Sequence, residues 1–151
     1  MKYFKRSIFI NKVSPYIDKS LIKVIVGQRR IGKSYFMYQL MDVIRKKNSD
    51  AVIIYINKED LDFETIRNYA DLVKYVNEHK APKGKTYLFI DEIQDIEQFE
   101  RALRHFQTKG EYDIYCTGSN SEILSGELST YLSGRYRSEE RSCRERVCHR
   151  V

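Results

Sequence analysis

The eight-residue segment from Gly27 to Ser34, GQRRIGKS, constrains the fold of this chain more than any other part of its sequence. It satisfies the pattern G-x-x-x-x-G-K-S, in which the glycines let successive backbone N–H groups turn inward around an anion. An apolar run at residues 21–26 precedes it and a helical pattern follows it. The sequence therefore predicts a buried strand, a phosphate-binding loop and the N-terminus of a helix, in that order.

Nucleotide phosphates are the ligand that this loop predicts. The Lys33 side chain would reach the β- and γ-phosphates, and the Ser34 hydroxyl would ligate Mg²⁺. The alternative, a glycine-containing surface loop, is disfavoured by the strand before the segment and the helix after it. The predicted nucleotide-binding residues are Gly27, Gln28, Arg29, Arg30, Ile31, Gly32, Lys33, Ser34 and Tyr35.

Composition points to one globular domain without a membrane span. The chain has 151 residues, of which 42% are hydrophobic and 32% charged, and it contains no long apolar run. No secretion signal is recognisable at the N-terminus, so we expect a cytoplasmic protein.

The net charge gives little indication of a nucleic-acid partner. Five arginines and three glutamates after Tyr136 account for +2 of the formal net charge of +6. The remainder is only mildly basic, which allows nucleic acid as a partner without indicating it.

Apolar runs alternate with helical patterns along the chain, which predicts an α/β fold with a parallel sheet covered by helices. The helix predicted after the third strand begins with Asp95 and Gln98 spaced as a capping box, and Gly110 is expected to end it. The predicted strands cover residues 21–26, 51–56, 86–90 and 112–116, and the predicted helices cover residues 4–17, 33–47, a segment ending near residue 79, 96–108 and 122–132.

Two acidic residues, Asp91 and Glu92, directly follow the third predicted strand. Hydrolysis of a bound nucleotide needs a carboxylate that orients the metal and a base that activates water. Asp91 is predicted to hold Mg²⁺ opposite Ser34, and Glu92 to polarise the attacking water as general base. The alternative is that the pair only begins a solvated loop. The phosphate-binding pattern upstream favours the catalytic interpretation.

Polar residues also follow the fourth predicted strand. In nucleotide hydrolases with a glutamate beside the metal-site aspartate, this strand inserts between the other two, and a polar residue at its tip senses the γ-phosphate. Thr117, Ser119 and Asn120 are the candidates, with Asn120 chosen for the site. The alternative for Ser119 is a capping box with Glu122.

Other polar patterns carry less weight. Arg135 is the candidate for an arginine that neutralises transition-state charge, with a solvated side chain as the alternative. The segment from Asn57 to Asp60 matches N-K-x-D, a guanine-selecting pattern. It follows the second strand rather than a strand after Asp91, so adenine is the expected base.

Three histidines have no spacing that suggests metal binding and are expected at the surface: His79, His105 and His149. Three cysteines have no disulfide or zinc spacing: Cys116, Cys143 and Cys148.

Together these motifs resemble a prokaryotic AAA-like P-loop ATPase family, in which an N-terminal ATPase domain is usually joined to a nuclease-like or DNA-binding-like domain. The resemblance implies ATP and Mg²⁺ as ligands, with Lys33 on phosphate, Asp91 on the metal, Glu92 as base and Arg135 as the arginine of an S-G-R motif. The matching segments are residues 27–34 (Walker A), 87–94 (YLFIDEIQ, Walker B), 115–120 (YCTGSN) and 124–136 (LSGELSTYLSGRY).

The resemblance covers residues 1–136, which are predicted to form the ATPase domain: a P-loop NTPase three-layer sandwich with a mostly parallel sheet, of the additional-strand type with a catalytic glutamate, incomplete at the C-terminus. Residues 137–151 do not continue the pattern. They look like a translated sequencing adaptor joined to a shortened gene, and a native basic helix is the alternative.

The predicted function is ATP binding and Mg²⁺-dependent ATP hydrolysis, as the nucleotide switch of a larger AAA-like ATPase. The rival hypothesis is a non-catalytic binding module stabilised by nucleotide, with DNA as a candidate partner. A small-molecule kinase ranks third, because the adjacent Asp and Glu suit water activation. A protein partner and self-association both remain open.

Overall fold

The computed structural model describes residues 14–18, 22–26 and 33–118, and within these ranges it shows an α/β fold. The elements are β1 (Lys23–Val26), α1 (Lys33–Lys47), β2 (Val52–Asn57), α2 (Tyr69–His79), β3 (Thr86–Asp91), α3 (Phe99–Lys109) and β4 (Tyr112–Gly118), with short 3₁₀ turns at Ser14–Tyr16, Leu61–Phe63 and Ile93–Asp95.

The four described strands form one all-parallel sheet in the order β1-β4-β3-β2. The last strand in the sequence therefore lies between β1 and β3, as predicted for the additional-strand type. Ile25 pairs with Thr117, and Asn57 pairs with Asp91. This register brings the carboxyl ends of the strands to one edge of the sheet, directly beside the start of α1.

Helices cover both faces of the sheet, which gives the predicted three layers. Alternate residues of each strand point to opposite faces, so each face has its own apolar cluster. The first cluster lies under α1 and includes Phe36, Leu40, Phe89 and Tyr115. The second lies under α2 and α3 and includes Leu72, Val76, Leu88, Leu103, Phe106 and Ile114.

Helix α1 has the predicted bounds. Phe36, Met37, Leu40 and Ile44 lie on its buried side, and they recur at the spacing that places side chains on one helix face. Arg45, Lys46 and Lys47 occupy the last turn, where positive charge favours the negative end of the helix dipole.

The capping box predicted for α3 is wrong. Asp95 closes the 3₁₀ turn Ile93–Asp95, and Gln98 adopts a left-handed conformation (φ 56°) without a capping hydrogen bond from its side chain. The cause is a longer-range contact: Glu97 donates its N–H to the Arg67 carbonyl and accepts from the Tyr69 N–H, both at 2.9 Å. This bridge holds the chain before Gln98 extended and delays the helix to Phe99.

Gly110 ends α3 as predicted, in a left-handed conformation (φ 75°) that glycine adopts without steric cost. The helices predicted at 4–17 and 122–132 lie outside the described residues, apart from the turn at Ser14–Tyr16. Across the described ranges, the helices are all too short or too polar to cross a membrane.

A buried ion pair lies toward the amino ends of the strands, away from Asp91. The Lys23 ammonium contacts Asp113 Oδ1, and both side chains are almost completely buried. Asp113 Oδ2 accepts from the Asp18 N–H and from the Tyr115 hydroxyl, each at 2.8 Å. Burial, followed by the charge of Asp113, raises the pKa of Tyr115 well above its usual range, so its hydroxyl stays protonated and donates. The network ties the segment before β1 to the centre of the sheet.

Candidate functional site

Asp91 is the centre of the polar cluster at the carboxyl edge of the sheet. Its side chain is 1% exposed and accepts hydrogen bonds from hydroxyls on three different elements. Ser34, on α1, donates to Oδ2, and Tyr55, on β2, donates to the same oxygen at 3.0 Å. Thr117, on β4, donates to Oδ1 at 2.5 Å. Both carboxylate oxygens are thus fixed, and the carboxylate is oriented toward the N-terminal turn of α1.

Glu92 occupies a strained turn immediately after β3. Its backbone is left-handed, with φ 59° and ψ 56°, a conformation that costs a residue with a side chain about 1–2 kcal/mol. Its N–H donates to Thr117 Oγ1 at 3.0 Å, and its Oε1 accepts from the Gln94 amide at 2.6 Å. Strain of this kind persists where the surrounding structure enforces it, and it concentrates at functional sites.

Thr117 links the two acidic residues. Its hydroxyl donates to the Asp91 side chain and accepts from the Glu92 backbone, and it is fully buried. The sequence predicted Thr117 as a candidate sensor of the γ-phosphate. The structure shows that it holds Asp91 and Glu92 in a fixed relation, and phosphate sensing by this residue stays a prediction.

Replacing Thr117 with Val should therefore destabilise the protein and disturb the site together. Valine has nearly the same shape but leaves the Glu92 N–H and Asp91 Oδ1 without this partner, at an expected cost of about 1–3 kcal/mol in the free energy of unfolding. Urea unfolding of the variant measures this cost. Thr108→Val is the control, since within the described part of the chain its hydroxyl bonds only the His105 carbonyl, on an exposed helix end. An equal loss in both variants would contradict the proposed role of Thr117.

Tyr55 belongs to the cluster and was not predicted from the sequence. It lies inside the apolar run of β2, where an aromatic residue is typical of a core position. Burial first, and then the charge of Asp91, raise the pKa of Tyr55 well above its usual value, so the hydroxyl stays protonated. The contact between Tyr55 and Asp91 depends on the pairing of β2 with β3, which the sequence alone does not specify.

Ser34 and Asp91 fit the needs of Mg²⁺. Their hydroxyl and carboxylate oxygens are hard donors, and they lie in contact at the start of α1. Mg²⁺ in nucleotide sites is bound by one or two protein oxygen groups, with phosphates and water completing its octahedron. No group of three or more His, Cys, Asp or Glu residues placed to hold a metal ion occurs in the described ranges.

The structure describes part of the predicted site. Ser34, Asp91 and Glu92 converge, while Tyr35 lies one residue further along α1 and is 37% exposed. Lys33 is the first residue of α1. The other predicted site residues lie outside the described ranges: Gly27, Gln28, Arg29, Arg30, Ile31, Gly32, Ser119, Asn120 and Arg135.

The N-K-x-D segment has local structural uses. Asn57 Oδ1 accepts from the Glu59 N–H at 3.0 Å, and Asp60 Oδ1 accepts from the Asp62 N–H at 3.0 Å. The Lys58 ammonium donates to the carbonyls of Phe63 (2.7 Å) and Ile66 (2.5 Å). These contacts hold the loop between β2 and α2, which accounts for the motif without guanine.

The two histidines that the structure describes lie at the surface, as predicted. His79 and His105 are exposed. Cys116 is a free, buried thiol, and burial raises its pKa to about 12. His149, Cys143 and Cys148 lie outside the described residues.

A parallel sheet with β4 inserted beside β3, and a serine of the G-x-x-x-x-G-K-S segment in contact with the first acid after β3, define an α/β domain like that of P-loop NTPases. The chain belongs to the AAA domain family, whose model matches residues 19–141. Membership of this family implies nucleotide binding in general.

Two curated relatives are similar to most of this chain. An uncharacterized protein of Haemophilus influenzae is 35% identical over 134 residues, which cover 87% of this chain and 33% of the relative. An uncharacterized protein of Methanocaldococcus jannaschii is 38% identical over 116 residues, which cover 76% of this chain and 24% of the relative. The chain thus spans about a third and a quarter of the lengths of the curated relatives it matches.

Proposed function

We propose that this chain binds ATP with Mg²⁺ and hydrolyses it, as the nucleotide switch of a larger AAA-like ATPase. The observation that carries the proposal is the cluster of Ser34, Asp91, Thr117 and Glu92, which joins the end of the phosphate-binding motif to the Asp91 carboxylate and, through Thr117, to the Glu92 backbone. A solvated acidic loop would not bury both Asp91 and Glu92, and it would not bond the Asp91 carboxylate to α1 and β4.

Each residue of the cluster has a distinct role in this mechanism. Ser34 and Asp91 would hold Mg²⁺, which when bound neutralises charge on the phosphates. Lys33 would bind the β- and γ-phosphates. Glu92 would accept a proton from the attacking water through its carboxylate, whose Oε1 is already oriented by Gln94. Thr117 would keep Asp91 and Glu92 in a fixed relation, because it donates to the carboxylate of the first and accepts from the N–H of the second.

The rest of the site is proposed from sequence alone. The backbone of the loop formed by residues 27–32 would surround the phosphates, Asn120 would sense the γ-phosphate, and Arg135 would neutralise transition-state charge within the chain or in a neighbouring subunit. We assign residues 1–136 to the ATPase domain and residues 137–151 to a tail outside it. The partner on which the switch acts would be bound by the longer protein.

Replacing Lys33 with Ala tests nucleotide binding directly. An ammonium that donates to phosphate contributes about 1.5–3 kcal/mol, so ATP affinity should fall roughly 10- to 150-fold at 1.4 kcal/mol per factor of ten. Isothermal titration calorimetry with ATP and MgCl₂ measures the change.

Lys46→Ala is the matched control, because it removes an exposed lysine from the last turn of the same helix. Its ATP affinity should equal that of the wild type. A folded wild type without ATP affinity, or an equal affinity in the Lys33→Ala variant, would reject the proposed phosphate site.

A further inference from the structure

We propose that Tyr55 is a positioning residue for the metal-site carboxylate, and that its hydroxyl sets how strongly Mg²⁺ tightens nucleotide binding. This inference rests on the proposed function, since it assigns Asp91 to the metal. It adds a residue that lies outside the phosphate-binding motif and outside the acidic pair after β3.

Among the described residues, three hydroxyls orient the Asp91 carboxylate. Thr117 fixes Oδ1, while Ser34 and Tyr55 both donate to Oδ2. A carboxylate held at one oxygen can still turn about that contact, so a bond at Oδ2 is needed to fix its plane.

The two donors to Oδ2, Ser34 and Tyr55, differ in whether their hydroxyl oxygen would also ligate the cation. Ser34 is the last residue of the phosphate-binding motif, and its oxygen would ligate the cation. Tyr55 lies within β2, paired in register with Phe89 of β3, and therefore outside the phosphate-binding motif. The Tyr55 hydroxyl therefore keeps Oδ2 in place when the Ser34 hydroxyl turns toward a cation.

Tyr55 is itself held rigidly enough for this role. Its ring lies against that of Tyr38 on α1, with centroids 5.3 Å apart and an interplanar angle of 57°. Partners that orient a metal ligand in this way change metal affinity or activity roughly 10- to 100-fold when they are removed.

The test compares how much Mg²⁺ tightens nucleotide binding in the wild type and in Tyr55→Phe. The probe is the non-hydrolysable ATP analogue AMPPNP, titrated by calorimetry once with MgCl₂ and once with EDTA. We expect equal affinities in EDTA, and a tightening by Mg²⁺ that is at least about tenfold smaller in the variant. Phenylalanine removes one oxygen and leaves Asp91 the hydrogen bonds from Ser34 and Thr117. Circular dichroism verifies the fold.

Tyr87→Phe is the matched control. Tyr87 also donates from a strand to a carboxylate, Asp18 Oδ1 at 2.6 Å, but Asp18 lies in the segment before β1, away from Asp91. This variant should retain the full effect of Mg²⁺.

The outcomes separate the two proposals. If Mg²⁺ tightens binding equally in wild type and Tyr55→Phe, or if the variant loses affinity equally with and without Mg²⁺, the role of Tyr55 is overturned while the nucleotide site stands. If the wild type binds no analogue, or binds it without any effect of Mg²⁺, the proposed metal site fails and the role of Tyr55 fails with it.

Discussion

Replacing Glu92 with Gln is expected to lower the rate of ATP hydrolysis by roughly 10²- to 10⁴-fold, the usual contribution of a general base. Glutamine keeps the size and the hydrogen-bonding oxygen of the side chain but cannot accept the proton of water at neutral pH. The backbone contact to Thr117 is unaffected by the change, so the turn after β3 should persist. ATP affinity should therefore equal that of the wild type, as measured by calorimetry alongside phosphate release.

Glu97→Gln is the appropriate control for this experiment. Glu97 lies five residues further along the same connection, and its side chain is exposed. Its neutralisation changes the net charge identically without touching the cluster at Asp91. Equal hydrolysis by the wild type and the Glu92→Gln variant would reject Glu92 as the base.

Replacing Asp113 with Ala should have the largest effect on stability, an expected loss of about 3–5 kcal/mol in the free energy of unfolding. The change removes the Asp113 carboxylate from beside a buried ammonium, that of Lys23, and so takes away an opposite charge that offsets its burial. It also removes the acceptor of the Asp18 N–H and of the Tyr115 hydroxyl. Chemical denaturation with urea, followed by circular dichroism, measures the loss.

Two further variants show whether the buried charge is the cause. Asp42→Ala removes an exposed aspartate whose ion pair with Arg45 is 3.8 Å long, and such surface changes stay within about 0.5 kcal/mol. The double variant Lys23→Met, Asp113→Leu removes both charges and should be more stable than Asp113→Ala alone. A double variant that is no more stable would mean that the lost hydrogen bonds, rather than the charge, account for the effect.

The strands, α1 and the acidic pair could be predicted from the sequence because local pattern decides them. The apolar runs of β2 and β3 have the length and composition of buried parallel strands, and Phe36, Leu40 and Ile44 recur at the helical period in α1. The insertion of β4 between β1 and β3 was predicted from Glu92 beside Asp91, a pair typical of nucleotide hydrolases with this strand order. In each of these cases local sequence and tertiary contacts favour the same structure.

Long-range pairing decided the features that the sequence did not predict. Asp95 and Gln98 have the spacing of a capping box, but the bridge between Asn68 and Glu97 holds the chain extended. Tyr55 looked like a core residue, because its contact with Asp91 depends on which strands are neighbours. Opposite charges inside two predicted strands, Lys23 and Asp113, were the signal that could have suggested the buried pair.

The position of β4 also has a consequence for how this chain folds while it is being synthesised. In the described sheet β1 pairs only with β4, and Lys23 and Asp113 are 90 residues apart in the chain. β2 and β3 can pair as soon as both have left the ribosome, whereas β1 must wait for residues 112–118. Pairing between such distant segments is slow, because loop closure precedes any gain from the contacts. A nascent chain that ends before Tyr112 therefore contains the phosphate-binding sequence but lacks β4, the strand with which β1 pairs in the described sheet.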